Sequence, residues 1–117
     1  MTARERVMRA VRHQEPDRVP IDFGGMGSTT IMAVAYNRLK KYLGMTGGET
    51  RVYDTYQQLA EVEPEILERF HVDVIRLTHS LGEHPEQWKD WTLADGSAGK
   101  VPVDFSPVPD GQGGWVW

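Results

Sequence analysis

Hydrophobic and polar positions at the start of the chain predict a helix followed by a strand. Thr2 and Glu5 have the spacing of a capping box, in which the two side chains satisfy free backbone amides at a helix N-terminus. The helix is predicted to begin near Ala3 and to end before Pro16, because the residue preceding a proline disfavours helical geometry. Residues 19–23 form a short apolar run closed by two glycines, which predicts a buried strand.

The middle of the chain predicts two more helices and a second strand. Apolar residues at helical spacing over 31–42, followed by Gly44, predict the second helix. Residues 52–62 fit no single pattern, and part of this stretch is interpreted as helical. Pro64 suits the first position of a third helix, and the β-branched residues within 72–77 predict a strand. Strands that alternate with helices are typical of a parallel α/β sheet.

The sequence changes character at Trp88. Helical periodicity disappears, prolines recur and two Asp-Gly pairs mark turns, so residues 88–117 are predicted to be β-rich. The last three residues alternate as in a strand, with two tryptophans on one face and nothing after them to cover the rings, which indicates a truncated strand. Residues 1–87 are therefore assigned to one α/β unit, and the remainder to a truncated β-rich extension.

Composition and charge exclude several classes of function. The 117 residues carry 13 Lys and Arg against 17 Asp and Glu, a net charge of −4, so there is no basic surplus for binding a nucleic acid. The absence of cysteine excludes disulfides, thiolate nucleophiles and cysteine-ligated zinc within this chain. No apolar run approaches the ~20 residues of a membrane span, and no signal peptide opens the chain, so we expect a cytoplasmic protein that does not bind membranes.

Four polar residues near the ends of the two predicted strands are the candidate substrate-binding side chains. Ser28 and Thr29 lie in the glycine-rich loop 24–30, where free amides and the helix dipole attract anions; the alternative is that they cap the following helix. Asp22 is a candidate substrate ligand or a partner in a structural ion pair. His79 follows the second strand, where parallel sheets place functional side chains, with a structural histidine as the alternative. The histidines lack the spacing of a metal pair, so no metal site is predicted.

Short motifs spread over nearly the whole chain carry a family resemblance. They are Arg4-Glu5-Arg6-Val7, Glu15-Pro16-Asp17-Arg18-Val19-Pro20, Tyr36-Asn37-Arg38-Leu39-Lys40, Tyr53-Asp54, Gln57-Gln58-Leu59-Ala60 and Leu67-Glu68-Arg69-Phe70-His71-Val72-Asp73-Val74-Ile75. Together they resemble the amino terminus of the uroporphyrinogen decarboxylase superfamily, which also includes cobalamin-dependent methyltransferases.

The resemblance implies a fold and a set of partners. Members of the superfamily form (β/α)8 barrels, so we expect the amino-terminal portion of a (β/α)8 TIM barrel with a β-rich extension at its C-terminus. A barrel of this class typically takes about 250 residues, more than this chain contains. The expected partner is therefore the remainder of the barrel, or a second copy of the chain in self-association.

Two departures from the decarboxylase pattern favour the methyltransferase branch. Decarboxylases of the family hold substrate carboxylates with an Arg-Gln-Ala-Gly-Arg stretch, but residues 25–29 contain no arginine, and the position of their essential aspartate is Ser80 here. The resemblance then implies a corrinoid-linked methyltransferase type, inactive alone, with no cofactor in this chain. A full-length relative would use zinc and a corrinoid, with a corrinoid protein as its partner. The alternatives are a lyase that decarboxylates a smaller carboxylated substrate and a noncatalytic α/β assembly module.

Overall fold

The computed structural model describes residues 1–77 and 84–116. Its helices are α1 (Ala3–Val11), α2 (Ala33–Tyr42) and α3 (Pro64–Arg69). Its strands are β1 (Val52–Asp54), β2 (Leu59–Ala60), β3 (Trp88–Thr92), β4 (Ala98–Pro102), β5 (Val108–Pro109) and β6 (Trp115–Val116). The strands pair in chain order as three antiparallel hairpins, β1 with β2, β3 with β4 and β5 with β6.

Local sequence signals set the ends of the helices. At the start of α1 the Glu5 amide donates to Thr2 Oγ1 at 3.2 Å and the Thr2 amide donates to Glu5 Oε2 at 2.8 Å, so the predicted capping box is confirmed. Helix α2 ends before Gly44, whose φ of +71° suits a residue without a Cβ. Pro64 is the first residue of α3, as predicted.

The β-rich character predicted from Trp88 onward is confirmed by two hairpins. The β3–β4 hairpin has five cross-strand pairs, from Trp88 opposite Pro102 to Thr92 opposite Ala98. Its turn includes Gly96 at a φ of +82°, which matches the predicted Asp-Gly turn. The shorter β5–β6 hairpin follows it.

The helical interpretation of residues 52–62 is wrong, because β1 and β2 form an antiparallel hairpin there. Val52, Leu59 and Ala60 are buried in that hairpin. The β2 strand is further held by an antiparallel bridge between Leu59 and Met32. Burial of these three side chains stabilises a hairpin in a segment whose apolar residues follow neither the helical nor the strand periodicity.

The predicted parallel sheet, and with it the predicted portion of a (β/α)8 TIM barrel, is wrong. Residues 19–23 and 72–77 are joined by a single parallel bridge between Asp22 and Val74. Every two-stranded ladder in the described part of the chain is antiparallel. The chain is instead a small fold with few helices and several small antiparallel sheets.

The backbone groups of these two segments explain why no parallel ladder extends between them. The Asp73 amide donates to the Ile21 carbonyl at 2.8 Å, but the Ile21 amide donates to the Asp73 carboxylate at 2.9 Å. Pro20 has no amide to contribute. A side chain therefore takes the place of the backbone acceptor that a longer ladder needs.

The core lies between α2, α3 and the hairpins β1–β2 and β3–β4. It combines residues from early and late parts of the chain, which are Ala33, Tyr36, Val52, Ala60, Ile66, Leu93, Val101 and Phe105. Burial of large apolar side chains of this kind contributes about 1.5–3 kcal/mol each, so this cluster is the main source of stability.

Glu63 connects α2 to the start of α3 through buried polar contacts. Its carboxylate accepts hydrogen bonds from the Tyr36 hydroxyl at 3.0 Å and from Lys40 Nζ at 2.7 Å, and its amide donates to the Tyr36 hydroxyl at 2.9 Å. Burial is the main cause that raises the pKa of Tyr36, so the phenol stays protonated. The Glu63 carboxylate is therefore paired with a cation and a hydroxyl donor, and the Glu63 amide has an acceptor.

Candidate functional site

An ion-pair network at Asp73 joins the beginning of the chain to the segment after α3. The Asp73 side chain is 2% exposed and accepts hydrogen bonds from Arg6 at 2.6 Å and from Arg18 at 2.7 and 3.1 Å. The Arg6 guanidinium also donates to Asp17 at 2.6 and 2.8 Å. This network fixes the residues that lead into the glycine-rich loop against the residues around Val74.

The network favours the charged form of both carboxyl groups. Burial would by itself raise the pKa of Asp73, but the Ile21 amide and the two guanidinium groups outweigh it and hold the pKa below its ordinary value. Hydrogen bonding from Arg6 lowers the pKa of Asp17 to about 2. Neither carboxyl group is suited to exchange protons near neutral pH, so we interpret the network as a structural brace.

The glycine-rich loop folds back closely on Asp22. The Gly25 amide donates to Asp22 Oδ1 at 2.8 Å, and a Cβ at Gly25 would lie 2.5 Å from that oxygen and 2.8 Å from Val74. Gly24 has a φ of +97°, and a Cβ there would lie 2.7 Å from Val62. Both positions exclude larger residues, and the Asp22 carboxylate is occupied in holding the loop.

Ser28 and Thr29 differ in their surroundings within the loop. Thr29 Oγ1 accepts a hydrogen bond from the Met26 amide and donates one to the Met26 carbonyl, both at 3.1 Å, within a 3-10 turn. Ser28 is exposed on the same turn. Helix α2 begins later, after Met32, which makes no side-chain cap bond, so the alternative that Ser28 or Thr29 caps this helix is wrong.

Three of the four predicted substrate-binding residues therefore lie in one stretch of the chain. The side chains of Asp22 and Thr29 accept backbone amides within the loop, and Ser28 is exposed. His79 falls within residues 78–83, which are outside the described residues, so its placement beside the loop stays a prediction.

Tyr53 and Arg76 form a second feature beside this loop. The guanidinium carbon of Arg76 lies 3.3 Å from the centre of the Tyr53 ring, a close cation–π contact. The Tyr53 hydroxyl and Arg76 Nη1 are both buried, and neither has a hydrogen-bond partner among the residues that the structure describes. A Cβ at Gly27 would lie 4.0 Å from the Tyr53 hydroxyl, so the glycine loop borders the pair.

The sequence interpretation did not include these two residues in the site. Tyr53 is one of several aromatic residues, most of which core packing explains better than a binding surface does, and Arg76 lies inside the apolar run 72–77. The available signal was a lone arginine in an otherwise apolar stretch, because a buried cation needs a partner. Burial raises the pKa of Tyr53, an effect that Arg76 opposes and Asp54 and Glu61 reinforce, so the phenol remains a donor.

An aromatic groove lies on the β3–β4 hairpin. The Trp91 ring is 5.5 Å from Phe105 and 5.9 Å from Trp115, with edge-to-face angles of 68° and 62°. Trp115 is 60% exposed. The groove has a volume of about 580 Å³, and its lining residues are Asp90, Trp91, Thr92, Gly96, Ala98, Gly99 and Trp115. The geometry brings β6 against β3 through aromatic contacts.

The zinc implied for full-length relatives does not find a ligand set in the part of the chain that the structure describes. Within residues 1–77 and 84–116, no group of three or more His, Asp or Glu side chains could hold a metal ion. The chain also has no cysteine, the ligand type that such zinc sites use. No chemical step is therefore assigned to a metal in this chain.

Comparison with known proteins leaves the family expectation untested. No family model matches the chain, and neither a curated protein nor a solved structure matches it. Among the helices of the described residues, none is long and apolar enough to cross a membrane.

Proposed function

We propose that the chain is a substrate-recognition module of the uroporphyrinogen decarboxylase-like type, on the corrinoid-linked methyltransferase side. The observation that supports this proposal is the composition of the Asp73 network. Arg6, Asp17, Arg18 and Asp73 belong to three separate motifs that carry the resemblance, and their side chains meet at one point. Contacts between side chains of distant motifs are expected where those segments together hold one loop in place.

In this proposal the brace serves the glycine-rich loop. The network joins the two segments that meet at the Asp22–Val74 bridge, and the glycine-rich loop begins two residues after Asp22. The loop presents the Ser28 hydroxyl and the backbone of its glycines beside the exposed Met26 side chain, and the glycines suit close approach of a ligand. The described residues supply recognition and positioning, so we expect the chain alone to transfer no methyl group and to decarboxylate no porphyrinogen.

The absence of arginine from residues 25–29 favours the methyltransferase side over decarboxylation. A porphyrinogen carries many carboxylates, and several cationic side chains would be needed to bind them together. Arg76 lies over the Tyr53 ring beside the loop, and one arginine is too few cations to bind such a substrate. A smaller carboxylated substrate is the alternative that this arrangement leaves open.

The test compares binding of two tetrapyrroles to the purified chain. Methylcobalamin stands for the corrinoid of the partner, and uroporphyrin stands for the decarboxylase substrate; binding is followed by quenching of tryptophan fluorescence. We expect methylcobalamin to bind, and Gly25→Ala to weaken it at least about fivefold, because a Cβ there collides with Asp22. Gly47→Ala is the matched control, since a Cβ at Gly47 meets no atom within 4 Å. Binding of uroporphyrin alone, or of neither compound, would overturn the proposal.

A further inference from the structure

We propose that Arg76 and Tyr53, beside Gly27, form a binding site for a small oxyanion, carried by a carboxylate or a phosphate group. The site rests on these side chains and on the shape of the loop, and it does not depend on whether the chain binds a corrinoid. Its defining feature is two buried donors, Arg76 Nη1 and the Tyr53 hydroxyl, for which residues 1–77 and 84–116 supply no hydrogen-bond partner.

Unpartnered donors at a buried position indicate a missing acceptor. Most buried polar atoms in folded proteins are hydrogen-bonded, and a guanidinium can only donate. In the part of the chain that the structure describes, no salt bridge involves Arg76. The ligand that would satisfy both groups is therefore an acceptor with negative charge.

The cation–π contact gives the site a fixed geometry. The Arg76 guanidinium lies over the Tyr53 ring, with 3.3 Å between its central carbon and the ring centre. This contact restricts the directions of the guanidinium N–H groups before any ligand arrives. The planar fork of an arginine matches the two oxygens of a carboxylate or a phosphate.

The surrounding carboxylates limit how strongly the site can bind. Asp54 and Glu61 act electrostatically on Tyr53, and their negative charge opposes an incoming anion. The Asp54 carboxylate is itself engaged, since it accepts the Gln57 amide at 2.8 Å. We therefore expect weak binding of an isolated inorganic anion, with saturation only at high anion concentration.

Gly27 is the exposed residue beside the Tyr53 hydroxyl, and we expect an anion to enter the site from this side. This residue is exposed, and a Cβ there would make ordinary contacts only, at 3.9 Å from Leu59 and 4.0 Å from the Tyr53 hydroxyl. A Cβ would fit at this position, 4.0 Å from the phenol oxygen, and the oxygen itself is buried. A branched side chain at Gly27 would obstruct this side of the site without changing its charge.

The test is a titration of the ¹⁵N-labelled chain with sodium acetate and sodium phosphate, each against sodium chloride at the same ionic strength. We expect saturable movement of the Arg76 Nε–H signal, assigned by its loss in Arg76→Gln. Movement with acetate alone, phosphate alone or both supports the site and identifies which group it prefers. The absence of saturable movement with either anion would overturn the proposal.

Variants separate this site from a general effect of salt. Arg76→Gln and Gly27→Val should each weaken anion binding at least about tenfold, and Tyr53→Phe should weaken it by a smaller factor. Binding to Tyr53→Phe and Gly27→Val is followed at the Arg76 signal, and binding to Arg76→Gln at the Gly27 amide. Arg38→Gln is the matched control, because the Arg38 side chain is 74% exposed and its nearest carboxylate is 3.9 Å away. Unchanged binding in Gly27→Val and Tyr53→Phe, both folded by circular dichroism, would refute the site even if Arg76→Gln failed to fold.

Discussion

Replacing Asp73 by asparagine tests whether the ion-pair network holds the segment that leads into the glycine-rich loop against the segment that contains Val74. Asp73 Oδ1 accepts from Arg6 Nη1 and Arg18 Nη2, and Oδ2 accepts from Arg18 Nη1 and the Ile21 amide. An asparagine keeps one of these oxygens and turns the other into a donor. Whichever way the amide is placed, two existing donors then face a third.

The cost of Asp73→Asn follows from those contacts. Two charge-assisted hydrogen bonds are lost at a side chain that is 2% exposed, and the guanidinium groups lose their shared counter-ion. The Arg18 side chain is 36% exposed, so water screens part of the loss. We expect the free energy of unfolding to fall by about 3 kcal/mol, which lowers the melting temperature by about 12 °C in a domain of this size.

The assay is urea unfolding followed by far-ultraviolet circular dichroism at pH 7, with Asp90→Asn as the control. The Asp90 side chain is 94% exposed and pairs with Lys100 at 3.0 Å, so that variant should lose less than about 1 kcal/mol. Equal losses in the two variants would refute the brace. The folded-state pKa of Asp73 is lowered, so its contribution is present above the unfolded value of about 3.9 and is lost as the pH falls through the folded value. The difference between wild type and Asp73→Asn should accordingly shrink in acid.

Two further predictions concern the polar core contact and the exposed segments. Tyr36→Phe should lower the free energy of unfolding by about 2 kcal/mol in urea melts, because the Glu63 amide loses its acceptor. The control is Tyr42→Phe, which should have no measurable effect because Tyr42 is 87% exposed. Equal effects of the two substitutions would contradict the role of Tyr36. Exposed apolar side chains in segments 19–21 and 75–77 should drive concentration-dependent self-association in sedimentation velocity, since each forgoes about 1.5–3 kcal/mol of burial; a monomer at every concentration would contradict this.

The elements that the sequence predicts correctly are those whose signals are local. Thr2 and Glu5 are three residues apart, and they form the capping box that begins α1. Pro64 fixes the start of α3 by its own ring geometry, and Gly96 supplies the left-handed residue of the β3–β4 turn. In each case the deciding interaction lies within a few residues of the motif.

The elements that the sequence predicts wrongly depend on distant partners. An apolar run such as 19–23 does not reveal which groups accept its amide hydrogens, and the Ile21 amide goes to the side chain of Asp73. Residues 52–62 form a hairpin because Val52 and Ala60 are buried in a core completed by later strands. These choices are set by tertiary contacts that periodicity does not contain.

The candidate site likewise contains one part that local sequence signals predict and one part that depends on distant residues. The glycine-rich loop and Asp22 are contiguous in sequence, so their association is predictable from spacing alone. Tyr53 and Arg76 are far apart in the chain, and their contact exists only because the β1 strand and the segment after Val74 come together. A lone arginine in an apolar run indicates that a partner is required, but it does not identify a tyrosine ring.

The edge-to-face tryptophans of the aromatic groove give the chain an internal optical reporter. Trp91 and Trp115 lie 5.9 Å apart at 62°, close enough and inclined enough for their indole transition dipoles to couple. Coupled indoles produce a signed pair of bands in circular dichroism that disappears when either ring moves away. Because Trp115 belongs to β6 and Trp91 to β3, this couplet distinguishes undocking of the last hairpin from unfolding of the core around Tyr36.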